Sequence, residues 1–213
     1  MARTPGALNA DHDEKRQEMA EAIARTLIST GWEESSLRGL SRATGLSVNN
    51  LRHYFGDRDG AIVAAMAVIE SWGAPHMAAA LSLVERPPGE GLRLFFRQLA
   101  GAWTPHSLQA SHGGGLAAGL GSETLGPAYV DHVLEPTLQL IEALLTRWIA
   151  RGALQAGDAR VMALSLSAPV ILALLHQRDL HGRRCRPLDV DAFIDAHVDG
   201  WLTGYGPTSP RKG

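Results

Sequence analysis

Residues 36–55 read SLRGLSRATGLSVNNLRHYF, two short helical segments hinged at a glycine and ending in a basic, polar, aromatic face. Leu37 and Leu40 recur at helical spacing, and Ser35 or Ser36 ahead of them offers a hydroxyl to cap the first amides. Gly45 supplies the positive φ that a tight inter-helix turn needs, Leu46 fills the angle between the helices, and Ser47 caps the restart. Leu51 and Phe55 then point into a core. Left outward are Val48, Asn49, Asn50, Arg52 and His53, with Tyr54 at the end, groups suited to base edges or phosphates. A purely structural αα-hairpin shows the same leucine spacing. Here, however, the only formal charges in the stretch are Arg38, Arg42 and Arg52, in a chain whose net charge is -2, and local basicity in an acidic chain suits a nucleic-acid footprint.

The pattern extends on both sides. Met19, Ile23 and Leu27 form one stripe of a preceding amphipathic helix, with Ala20, Ala24 and Ile28 beside it, and the helix ends at Gly31-Trp32. After the hairpin come Tyr54-Phe55 and Asp57-Arg58-Asp59. On these residues the first seventy or so positions resemble the N-terminal domain of the TetR/AcrR family of bacterial transcriptional repressors. The resemblance implies that Ser36 and Arg38 approach the DNA from the first helix, that Val48, Asn49 and Asn50 face bases from the second, and that Tyr54 and Arg58 hold phosphates. Ser47, Arg52 and His53 complete the expected interface. Asparagine pairs bidentately with adenine, valine packs on a thymine methyl and arginine neutralises phosphate. Asn49 stands where the family usually has a small residue, Arg52 where it has tyrosine and Arg58 where lysine is common. Gly39 inside the first helix costs about 1 kcal/mol relative to alanine.

The chain has 213 residues, 45% of them hydrophobic, enough for one small and one larger domain. The expected division is a disordered arm over 1–13, a helix-turn-helix domain over 14–60, a helical effector-binding and dimerisation domain over 61–206, and a frayed tail over 207–213. No run of about eighteen uninterrupted apolar residues occurs, and the polar start with Pro5 and Gly6 does not read as an export leader, so no membrane partner is expected. A single cysteine, Cys185, precludes an internal disulfide and fits a reducing cytoplasm. Its arginine neighbours favour a lowered thiol pKa, against the plainer reading of an exposed loop cysteine.

Beyond Arg58 the spacing predicts helices throughout, so the class is all-α: an N-terminal three-helix helix-turn-helix domain plus a larger C-terminal helical domain. One long helix leaves Asp57 and runs past Trp72 toward Val84, disturbed near Gly73 and Pro75. The segment from about Pro127 to Ala150 and the helix capped by Asp158 are apolar over more of their circumference than one small domain needs. Pairing them with their symmetry copies gives a four-helix dimer interface, with Leu138, Ile141, Leu145, Val161, Leu164 and Leu172 as its contacts. TetR-like proteins dimerise in this way. The alternative is that these are core helices of a single subunit. Phe96, Trp103, Leu116, Leu120 and Leu144 are predicted to line an apolar effector pocket, with His106 and His176 as polar anchors and Trp148 at a wall.

No HExxH, phosphate-binding loop or G-x-S-x-G elbow is present, and Gly113-Gly114-Gly115 lacks the last glycine of a dinucleotide fingerprint. His106 and His112 are poorly spaced for one metal. The sequence therefore predicts no enzyme, no cofactor and no metal. It predicts a homodimeric regulator on a double-stranded, pseudo-palindromic DNA operator, released by a small hydrophobic or aromatic effector. The rivals are a helical ligand-binding or catalytic protein whose hairpin is only structural, and a TetR-like activator.

Overall fold

The computed structural model describes residues 5–32, 35–105 and 107–206. Every regular element among them is helical, and the ten α-helices group into two compact units, one of residues 1–72 and 105–133, the other of 73–104 and 134–213.

In the first unit α1 (Pro5–Thr30), α2 (Leu37–Thr44), α3 (Val48–Phe55) and the opening turns of α4 (Arg58–Ala80) enclose one core. Ala20, Ile23, Ala24 and Leu27 of α1 meet Leu40, Leu51, Ala61, Ala64, Ala65 and Val68, with Trp32, Leu37, Leu46 and Phe55 packed around them. Five of those core positions are alanine, which lets helices approach closely. The expected boundary after residue 60 falls inside α4, whose first turns belong to this core. No linker separates them, because Ala61, Ala64 and Ala65 present one small-residue face to α1–α3. Nor are residues 5–13 a disordered arm. They are the start of α1, with proline at the first helical position where its missing N–H costs nothing and Lys15 Nζ 3.6 Å from Asp11 one turn on. Residues 1–4 and the predicted tail 207–213 lie outside the described residues.

The unit is completed by a π-helical turn at Ala110–Gly114, α6 (Gly115–Gly119), α7 (Leu125–Tyr129) and a second π-helical turn, Val130–Leu134. The backbone of Gly114 lies against the indole of Trp32, and a Cβ there would overlap the ring. His112 is buried beside Tyr129, its Nδ1 3.3 Å from the phenol oxygen. Burial lowers this imidazole to about 4, so it is neutral at pH 7.

In the second unit α4 passes Pro75 and tightens into a 3₁₀ turn, Leu81–Glu85, ahead of α5 (Pro88–Ala102). Then α8 (Glu135–Ala150), α9 (Ala159–Leu174) and α10 (Val190–Tyr205) follow. The caps fall where the sequence puts them: Asp158 accepts from Arg160 and Val161 amides, and Asp189 from Ala192. Trp148 is sunk between α8 and α5, where Gly91 leaves room for its ring, and its N–H donates to the carbonyls of Val84 and Arg86 at 3.0 and 3.1 Å.

Candidate nucleic-acid interface

The hairpin is built from backbone amides outward. Ser36 Oγ accepts from the Gly39 amide at 3.0 Å and Ser47 Oγ from the Asn50 amide at 3.0 Å, each cap contributing about 1 kcal/mol. Gly45 ends α2 at φ 75°, its N–H donating to Ser41 O. Two hydroxyls that the sequence reading passed over tie the turn shut. Ser41 Oγ donates to Leu46 O at 2.5 Å, and Thr44 Oγ1 donates to Leu40 O while accepting from the Leu46 amide. Their signal was their position, three and zero residues before the end of α2, where free carbonyls need donors. Leu51 is wholly buried, and this fixes the rotation of α3.

That rotation leaves Asn49, Asn50, Arg52 and His53 exposed, with Val48 and Tyr54 half-buried beside them. Ser36, Arg38 and Ser47 are also exposed, although the two serine oxygens are already engaged as helix caps. The result is a short helix whose solvent face carries amides and cations and no carboxylate, a surface able to donate to phosphate and to pair with base edges. Arg58 has partners within the unit. Its Nε donates to Ser35 O at 3.0 Å, Nη2 to Ser35 Oγ at 2.8 Å and Nη1 to Asp59 at 2.7 Å, so it clasps the corner before α2 to the start of α4. Asp59 in turn accepts from Ser122 Oγ at 2.7 Å. Asp57, read only as part of a link, caps α4 by accepting from the Gly60 amide at 2.8 Å.

The predicted pocket residues divide between the two units. Phe96, Trp103, Leu144 and Trp148 are buried in the second unit, and Trp148 is held by main-chain carbonyls as a core residue. Trp103 donates to Asp179 Oδ2 at 2.8 Å; burial raises that carboxyl, and the Trp103 bond acts against the rise. His176 is half-buried next to Gln177, with Nδ1 2.7 Å from the amide nitrogen. Leu116 and Leu120 belong to the first unit, and Leu120 is 82% exposed, because Gly119 and Gly121 around it offer no neighbouring side chains to cover it. His106 lies outside the described residues.

The predicted dimer residues divide in two. Leu138, Ile141 and Leu145 are buried within the subunit, on α8, against which α9 packs. Val161, Leu164 and Leu172 are 58%, 53% and 64% exposed, an apolar strip at helical spacing along α9. Ala159–Asp179 and Arg58–Glu85 are long and apolar enough, by length and composition, to cross a membrane. Each serves here as a partly buried helix of the fold. Among the described residues no group of three or more His, Cys, Asp or Glu is placed to hold a metal ion, and Cys185 is exposed.

No family model matches the sequence. Over 60 residues the chain is 37% identical to the HTH-type transcriptional regulator PksA of Bacillus subtilis, a match that spans 28% of this chain and 29% of that protein's length. In structure it resembles a protein of Mesorhizobium loti assigned to the TetR-family transcriptional regulators, with a TM-score of 0.72 and 19% identity over 92% of this chain and 98% of the other. A TetR transcriptional regulator of Agrobacterium tumefaciens matches with a TM-score of 0.60 and 25% identity, over 90% and 94% of the two chains. All three of these proteins are named as transcriptional regulators. Over nearly its whole length the chain has the fold of TetR-family transcriptional regulators, and 60 of its residues resemble an HTH-type transcriptional regulator in sequence.

Proposed function

We propose that the protein is a homodimeric transcriptional repressor of the cytoplasm, which binds a pseudo-palindromic DNA operator through α3 and is released by a small hydrophobic or aromatic ligand. The observation that carries this reading is the doubly capped hairpin, with Leu51 buried and Asn49, Asn50, Arg52 and His53 turned outward. A helix so presented enters a major groove, Asn50 reading a base edge and Arg52 a guanine or a phosphate, with Tyr54 on the backbone. Two copies meeting along Val161, Leu164 and Leu172 of α9 bury an otherwise exposed apolar strip. They set two α3 helices about 34–36 Å apart, one turn of duplex. The ligand sits among the apolar side chains near Phe96, Trp103 and Leu144. It favours release only by binding the DNA-incompetent arrangement more tightly, and α4, which runs from the hairpin's unit into the other, is one covalent route between them.

The test is titration of the protein against duplexes from its own upstream region and a scrambled control. Asn50→Ala is expected to cost about 1–3 kcal/mol of discrimination against the control; equal binding to both duplexes by the unaltered protein ends the operator reading. Leu164→Glu is expected to weaken self-association at least about 100-fold, roughly 2.7 kcal/mol, in sedimentation equilibrium, and operator binding should fall with it. A variant that stays dimeric would place the interface elsewhere.

A further inference from the structure

The first helix is longer than its core requires. Its buried face begins at Ala20, yet α1 starts at Pro5, and residues 12–18 are exposed. Among the described residues, His12 and Arg16 of this extension both meet the last turn of α3. The ring of His12 lies 4.7 Å from that of Tyr54 and 5.9 Å from that of His53, and the Arg16 guanidinium sits 5.4 Å above the centre of Phe55. Positions 12 and 16 are one helical turn apart, so they share a face. Glu14, Glu18 and Glu21, at spacings of four and three, occupy another, and Lys15 is engaged by Asp11. The charge on α1 is thus sorted, with the cation-bearing strip laid beside α3 and the run of glutamates turned away. Asp13 lies beside the strip, 3.5 Å from His12 Nδ1.

Docking alone accounts poorly for this arrangement. His12, Arg16 and His53 are exposed, so the contacts exclude little water. A guanidinium held over a ring face by cation–π attraction spends none of its N–H donors on that contact, and they stay available to a phosphate. The strip is also continuous with Tyr54 and His53 on the open face of α3. We propose that the extension of α1 is a second, sequence-indifferent arm of the DNA interface, in which Arg16 and His12, beside Tyr54, take up a backbone phosphate flanking the bases that α3 reads. This rests on the operator reading above and adds to it a footprint wider than the hairpin.

The test is fluorescence anisotropy with the upstream duplex and a scrambled duplex of equal length, across a salt series, for the unaltered protein, Arg16→Gln, Arg16→Lys and the double variant His12→Ala/Arg16→Gln. The double variant is expected to bind both duplexes up to about tenfold more weakly at low salt, with the ratio between them kept and the log–log salt slope shallower by about one. Arg16→Lys, which keeps the charge, should hold the slope of the unaltered protein. Unchanged affinity and slope in the double variant would overturn the proposal, and so would a loss confined to the upstream duplex, which means that the strip acts only by propping α3. Should the double variant fail to fold by circular dichroism, the single Arg16→Gln change carries the same two outcomes. If the unaltered protein ignores both duplexes at every salt concentration, the operator reading has failed as well. If it binds and the variants bind equally, only the arm has.

Discussion

Gly45 turns α2 toward α3 and Gly152 ends α8 ahead of α9, at φ 75° and 71°, and in each case a side-chain oxygen caps the helix that follows, Ser47 in one and Asp158 in the other. The backbone solution is shared, while the outward faces are opposite in character. Beyond the turn, α3 shows amides and cations to solvent, whereas α9 shows Val161, Leu164 and Leu172. The comparison teaches that caps and glycines specify where helices start and stop, and that the chemistry of the uncovered face specifies what they meet. A polar face with no carboxylate invites nucleic acid. An apolar strip on an already covered helix invites another protein.

Three measurements press on that comparison. The largest effect is expected at Trp148, which anchors α8: Trp148→Ala should cost about 3–5 kcal/mol, leaving a cavity and the carbonyls of Val84 and Arg86 without their donor. Urea unfolding followed by circular dichroism reads it. A loss under about 1 kcal/mol would mean that α8 is held chiefly by α9, and the contrast between a covered α8 and an open α9 would weaken.

Acid should act on the unit that carries the hairpin. His112 is neutral in the fold with its pKa lowered to about 4 from 6.5 by burial, so the unfolded chain binds its proton first as pH falls. Stability is complete above pH 6.5 and declines as pH drops from there to about 4, by roughly 3 kcal/mol in all. Unfolding midpoints between pH 7.5 and 4.5 check the sign, and His112→Phe should flatten the profile. A profile equally steep in that variant would assign acid sensitivity to other groups.

The smallest effects compare the two caps directly. Ser47→Ala and Asp158→Ala are each expected to cost about 1 kcal/mol of stability. Only the serine change, which loosens the start of α3, should also weaken binding to the upstream duplex. Equal loss of binding in both would imply that the start of α9 bears on DNA affinity as strongly as the start of α3.

The hairpin was the most legible part of the chain, because its signals are local. The Ser36 and Ser47 caps, the left-handed Gly45 and the inward Leu51 all act within four residues, and the later caps at Asp158 and Asp189 were readable for the same reason. The clasp that Arg58 makes was not legible because its partner, Ser35, lies twenty-three residues away, a distance at which the sequence offers no pairing rule. For α8 the difficulty is physical. Apolar periodicity marks a face that must be covered, but it does not say whether the cover is the same chain or a second copy. So Leu138, Ile141 and Leu145 were grouped with Val161, Leu164 and Leu172, although the first three are buried within the subunit. The long α1 was hidden by Pro5 and Gly6, which signal irregular chain unless a helix begins at the proline.

Trp32 lies on bare backbone at Gly114, and that seam admits no gradual adjustment. Elsewhere in the same unit a misfit can be relieved by trimming a methyl group or turning a flexible side chain. At this seam alanine, the smallest possible addition, already meets a rigid bicycle, so every substitution acts as a wedge driven between the α1–α2 corner and the π-helical turn. Position 114 is therefore a natural place to jam the unit deliberately, through a change far from the groove-facing residues.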